Sequence, residues 1–253
     1  MAFDYPNEQQ NVTASESRPQ LRPLANSIPV YSFILIAFLI GVSLCQFAVD
    51  GRNSLFLGGY ESALRAGFVK PFFAEGQYWR ILTGAVLHAG LIHLAFNCYA
   101  LYVLGKIIET LSNRAHLPII FLLSAIGGNV LSYIFLPDGL SVGASGGILG
   151  FLGYLAVYGF LRRKILSNSF LKSMIFNIGF IAFYGLLLNK EVDNYAHLGG
   201  LLVGVVYGFL QIPKDLYTDP RVSSEAAKIS GFAALGVFIL LCGSSALLIF
   251  GIL

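Results

Sequence analysis

The chain has 253 residues, of which 56% are hydrophobic and 11% charged. A soluble domain carries roughly 25% charged residues, so the composition excludes an ordinary soluble globular protein and points to an integral membrane one. The net charge of +3 is too small and scattered to suggest nucleic acid, and Cys45, Cys98 and Cys242 all lie in apolar runs, where buried small hydrophobes are expected rather than disulfides.

Residues 1–27 are polar, rich in Asn, Gln, Glu and Ser, and read as a flexible cytoplasmic tail. No cleavable signal is evident, because the first apolar run begins near Ile28 and is long enough to span. A bilayer core about 30 Å thick needs roughly 20 apolar residues per helix. On that measure seven spans are predicted, at 28–49, 81–105, 117–137, 143–161, 173–188, 195–212 and 229–253. The fold class expected is an all-α polytopic membrane protein, with 213–228 as a cytoplasmic linker before the last span. That last span holds no acidic or basic residue, and its Gly231, Gly236 and Gly243 suit close helix packing.

Lys and Arg in the loops set the orientation. With a cytoplasmic N-terminus, the inside regions hold Arg18, Arg22, Lys106, Arg114, Arg162, Arg163, Lys164, Lys172, Lys214, Arg221 and Lys228. The outside regions hold Arg52, Arg65, Lys70, Arg80 and Lys190, so an N-in, C-out chain is favoured. The loop at 50–80 carries Phe56, Phe68, Phe72, Phe73, Tyr78 and Trp79, a composition suited to the headgroup level rather than to bulk water.

Ionisable groups inside spans are functional hypotheses by default. His88, His93 and His197 fall within or at the mouth of apolar segments, whereas His116 precedes the third span and is expected to be an exposed interface residue. His93 and Asn97 are four residues apart and therefore on one helical face. Ser145 opens the fourth span, within Gly143-Ala144-Ser145-Gly146-Gly147, and His197 lies a few residues into the sixth. Even-numbered spans start on the same side, so hydroxyl, imidazole and amide arrive at similar depth from three pieces of chain.

Those groups suit acyl transfer: an imidazole base activates a serine hydroxyl, and preorganised donors stabilise the oxyanion. Each residue also has a plainer reading. Ser145 alone reads as a cap or packing residue, Asn97 as an interhelical hydrogen bond, and a single histidine as structural. Asp193, one turn before His197, stands where a helix N-cap belongs, and the cap is favoured over a third catalytic member. No metal or other cofactor is implied, and His-Glu-x-x-His is absent from the sequence.

In this context the sequence resembles the rhomboid family of intramembrane serine proteases. Gly143-Ala144-Ser145-Gly146 is similar to its G-x-S-G motif, and "HAGLIHLAFN" at 88–97 to its H-x-x-x-x-H-x-x-x-N signature. "AHLGGLLVG" at 196–204 resembles the stretch around the family's base, and Trp79-Arg80 its Trp-Arg pair. The resemblance covers about 30–212 and implies a six-helix core, with 229–253 as an added C-terminal helix. It implies Ser145 as nucleophile and His197 as base, without an acidic third member, and His93, Asn97 and the Ser145 amide as oxyanion donors. His88 is implied to support the hydrogen-bond network near the aqueous mouth. Gly105 and Glu109 fall on a Gly…Glu pair frequent in the family, but the arginine often following is Leu111 here. Gly200 and Gly204 resemble a close-contact surface that would meet Gly146, Gly147 and Gly150.

Three functions are thus compared. The first is a protease acting on transmembrane proteins in a membrane, expected from the short tail and compact loops to be a bacterial plasma membrane, with a eukaryotic secretory-pathway membrane as the alternative. The second is a catalytically silent relative that binds transmembrane helices, and the third a histidine-based transporter. Retention of both Ser145 and His197 favours the first.

Overall fold

A computed structural model of the chain describes residues 28–52, 54–188, 191–222 and 224–253. The tail at 1–27 and Lys190 lie outside the described residues. The first long helix, α1 (Val30–Asp50), stops at Gly51, whose φ of 74° closes it. A folded loop follows, made of α2 (Ser54–Leu57), α3 (Tyr60–Ala66), strand β1 (Phe68–Val69), α4 (Lys70–Ala74), α5 (Arg80–Thr83) and a 3-10 turn at Gly84–Val86. Then come α6 (Leu91–Leu111), α7 (His116–Phe135), strand β2 (Leu140–Ser141), α8 (Ser145–Leu161), α9 (Asn168–Leu187), α10 (Asn194–Gln211) and α11 (Glu225–Ile249).

The protein is an all-α polytopic membrane protein. In lipid every backbone N–H and C=O must be satisfied within the segment, which leaves helices as the form for these apolar runs. Five of them, α1, α6, α7, α9 and α11, are long and apolar enough to cross a membrane. Helix α8 is shorter at 17 residues. It is nonetheless the centre of the bundle, buried on nearly every side among α6, α7, α9 and α10. Helix α9 is the opposite case: only Met174 and Gly185 are buried along its length.

The second span differs from the sequence expectation of 81–105. Residues 80–86 fold into short helices of the preceding loop, and the long helix runs from Leu91 to Leu111. Gly90, at φ 90°, turns the chain into it. Apolarity alone could not separate these pieces, because the loop is itself buried and apolar. Its organiser is Arg80, 5% exposed, whose guanidinium donates to the carbonyls of Leu64 (3.0 Å) and Gly67 (2.8 Å) and to Gln77 Oε1 (2.6 Å).

Distant side chains fasten the helix ends. Pro29 offers α1 no capping side chain; Glu109 of α6 does so instead, accepting from the amides of Tyr31 (3.2 Å) and Ser32 (2.8 Å) and from the Ser32 hydroxyl (2.7 Å). His116, expected to be exposed, is buried, and its Nδ1 lies 2.8 Å from the Tyr207 hydroxyl. The start of α7 is enclosed by α8 and α10, which removes it from the interface. Helix α11 docks on α1, α3 and α7. Gly231 packs tightly on Ala115, but Gly236 and Gly243 have open space beside them, so only the first serves the packing expected of all three.

Candidate active site

Ser145 is the first residue of α8 and His197 the fourth of α10, and these helices pack side by side from their starts, with Gly146, Gly150 and Val157 of α8 against Gly200, Gly204 and Gly208 of α10. His197 Nε2 lies 2.9 Å from Ser145 Oγ, both half-buried. Two helices come this close because neither has a side chain where glycine meets glycine. A Cβ on Gly200 would lie 2.8 Å from the carbonyl carbon of Gly146, and one on Gly204 2.6 Å from that of Gly150. Gly147, expected on the same seam, faces Phe121 of α7 instead.

The approach to Ser145 is shaped by Gly143, whose φ of 135° is a left-handed conformation that side chains rarely adopt. Its amide donates to the Gly84 carbonyl at 2.9 Å, tying the stretch before the serine to the folded loop. A Cβ there would meet the His93 ring, 2.7 Å from Cε1 and 3.0 Å from Nε2. The glycine thus lets the His93 imidazole lie against the backbone just ahead of Ser145.

His93 is the third residue of α6 and Asn97 the seventh, on the same face. The Ala89 amide donates to His93 Nδ1 at 3.3 Å. In the neutral ring the proton is therefore on Nε2, which makes the edge near Gly143 a donor. Asn97 is 6% exposed, and its Nδ2 has no hydrogen-bond partner among the described residues. A buried amide donor left open is costly in a purely structural role. The first amides of α8 are free of helical partners as well.

His88 lies before α6, in the extended stretch after the 3-10 turn, and is 2% exposed rather than at an aqueous mouth. Its Nδ1 is 3.3 Å from Ser43 Oγ, and its ring meets that of His93 edge-on, centroids 5.4 Å apart. Gln46 of α1 clamps it with two bonds: the His88 amide donates to Oε1 (2.9 Å), and Nε2 donates to the His88 carbonyl (3.2 Å). Gln46 has no sequence signature, since its partner lies 42 residues away.

Asp193 caps α10 as expected, accepting from the Ala196 amide at 2.9 Å. Its second oxygen accepts from the hydroxyls of Ser132 and Ser141 (the latter at 2.5 Å), and Lys70 Nζ is 3.7 Å away. Burial pushes this carboxyl up, but the bonds from Ser132, Ser141 and Ala196 and the Lys70 charge outweigh it and hold the group below its ordinary value. No hydrogen bond links it to the His197 ring among the described residues. Lys70, 1% exposed, was not a candidate on sequence grounds, and burial lowers its ammonium pKa despite the opposing pull of Asp193.

A polytopic helical membrane protein with a hydroxyl–imidazole pair between two closely packed helices, and the His93 ring against the backbone just ahead of the hydroxyl, has the equipment for acyl transfer. A family model described as the Rhomboid domain matches residues 75–214. The chain is 35% identical over 184 residues to RHOMBOID-like protein 6, mitochondrial, of Arabidopsis thaliana, covering 69% of this chain and 58% of that one. It is 31% identical over 225 residues to Rhomboid protease GluP of Bacillus subtilis, covering 84% of this chain and 41% of the relative. Putative rhomboid protease YdcA of the same bacterium is 31% identical over 142 residues, 56% of this chain and 71% of YdcA. The chain thus spans only about half the length of the first two relatives. It belongs to the rhomboid family, a family of intramembrane proteases. The bacterial membrane expected from the loops gains no support, since one relative is named as mitochondrial.

Proposed function

We propose that the chain is a serine endopeptidase that hydrolyses peptide bonds in or near transmembrane segments of membrane proteins, using Ser145 and His197 as a dyad. The observation that carries this is the 2.9 Å separation of Oγ and Nε2 across the α8–α10 seam. All seven long helices are taken to cross the membrane, with the N-terminus cytoplasmic, the C-terminus extracytoplasmic and the dyad toward the outer face.

Neutral His197 accepts the Ser145 proton at Nε2 as Oγ attacks the scissile carbonyl carbon. The resulting oxyanion accepts from the Ser145 amide, Asn97 Nδ2 and His93 Nε2. Such donors are effective because they are fixed before charge develops. The imidazolium returns its proton to the leaving amine, the C–N bond breaks and an acyl-serine remains. Water, deprotonated by His197, then attacks the ester, and Oγ leaves with the proton. His88 and Gln46 act at one remove, holding the His93 ring.

A reconstituted cleavage assay on a single-span substrate tests the reading. Ser145→Ala and His197→Ala should each abolish cleavage, and a fluorophosphonate should label wild type but not the serine variant. A wild-type protein that binds the substrate without cutting or labelling would favour the catalytically silent alternative.

A further inference from the structure

Beyond the dyad lies a second bond built on the same spacing. Asp193 precedes His197 by four residues, and Ser141 precedes Ser145 by four. The Asp193–Ser141 hydrogen bond, 2.5 Å, therefore joins the same two pieces of chain as the 2.9 Å Ser145–His197 contact, one step outward along each. We propose that Asp193 and Ser141 are positioning residues, forming a strut that fixes the register of the nucleophile stretch against the base helix. The proposal rests on the dyad reading above.

The strut is anchored on both sides. Ser141 is half of β2, which pairs antiparallel with β1 in the register Phe68↔Ser141 and Val69↔Leu140. The Lys70 amide extends this strap by donating to the Gly139 carbonyl at 3.1 Å. Asp193 is fixed by the α10 cap, and its other oxygen, besides Ser141, accepts from Ser132 near the end of α7. Lys70 supplies the counter-charge from the folded loop. One carboxylate thus gathers the loop, the end of α7, the stretch before Ser145 and the start of α10. Ser145 needs this, because the residues just ahead of it include a left-handed glycine, and Ala144 provides no side-chain cap.

The test compares Ser141→Ala, Ser132→Ala and Asp193→Ser, which retains a capping hydroxyl, with the Ser141→Ala/Asp193→Ser double variant. The readouts are kcat, KM, the rate of fluorophosphonate labelling of Ser145, and the thermal unfolding midpoint in detergent. Ser141→Ala and Asp193→Ser should each lower kcat and labelling about tenfold, with KM within about twofold, since misplacing a reacting group by a fraction of an ångström costs this much. The double variant should be no slower than Asp193→Ser. Ser132→Ala should lower the midpoint while leaving kcat within about twofold, because its bond does not reach the nucleophile stretch.

Multiplying losses in the double variant, an unchanged Ser141→Ala, or a kcat loss in Ser132→Ala equal to that of Ser141→Ala would overturn the strut. Should Asp193→Ser fail to fold, the Ser141 and Ser132 variants decide alone. A wild-type protein that neither cleaves nor labels would instead refute the dyad reading.

Discussion

Gly200→Ala is the sharpest probe of why this site exists where it does. The added methyl would lie 2.8 Å from the Gly146 carbonyl carbon and 3.1 Å from its Cα. Relaxed carbon–carbon contacts lie at about 3.5–4.0 Å. The Gly146 carbonyl oxygen lies closer still, and all three obstructing atoms are backbone, so no rotamer change relieves the clash. The helices must part by roughly 1 Å or more. The hydroxyl–imidazole separation, now 2.9 Å, would open to about 3.9 Å or more, outside hydrogen-bonding distance.

A displacement of this size costs about 10²-fold in rate, and overpacking a close-packed seam costs about 1–3 kcal/mol. Cleavage of a transmembrane substrate in liposomes and the unfolding midpoint measure the two effects separately. Gly179→Ala and Gly236→Ala are the controls, because nothing lies within 4 Å of a Cβ at either position. Gly200→Ala with a kcat within about threefold of wild type would refute the idea that close backbone approach sets the dyad.

Asn97→Ala should lower kcat by about 10²–10³-fold through loss of an oxyanion donor. Its unfolding midpoint should hold, since Nδ2 has no partner to lose among the described residues; calorimetry and kinetics on one preparation check both. Tyr207→Phe removes the partner of buried His116 Nδ1 and should cost about 1–3 kcal/mol, read by denaturation, with KM unaltered. The Asp193 carboxyl is held below its ordinary 3.8, so its contribution is fully present above that value and is lost as pH falls through the lower folded-state pKa. The stability difference between wild type and Asp193→Asn should therefore stay constant from about pH 7 to 5 and shrink only below 3.8.

The spacing of His93 and Asn97, and the entry of Ser145 and His197 at the start of even-numbered spans, were legible because helical period and bilayer thickness are local properties of the chain. The start of α6 was not, because residues 81–86 carry no charge and read on into the apolar run while belonging to a folded loop. His116 was misplaced for a related reason. Hydropathy records that a segment leaves water, not which neighbours enclose its end.

Composition and local pattern by themselves determined the membrane class, the approximate spans and a set of polar groups at matching depth. Apart from the Gly146–Gly200 and Gly150–Gly204 contacts, which the family resemblance implied, tertiary structure decided which faces meet. In a membrane the lipid-facing side of a helix is as apolar as its packed side, so periodicity cannot single out the α8–α10 seam. The Gln46–His88 clamp, the Glu109 cap on α1 and the Asp193 cluster likewise join residues tens of positions apart, and no local preference encodes them. Their partners are fixed only when each buried polar group must find the one neighbour that satisfies it.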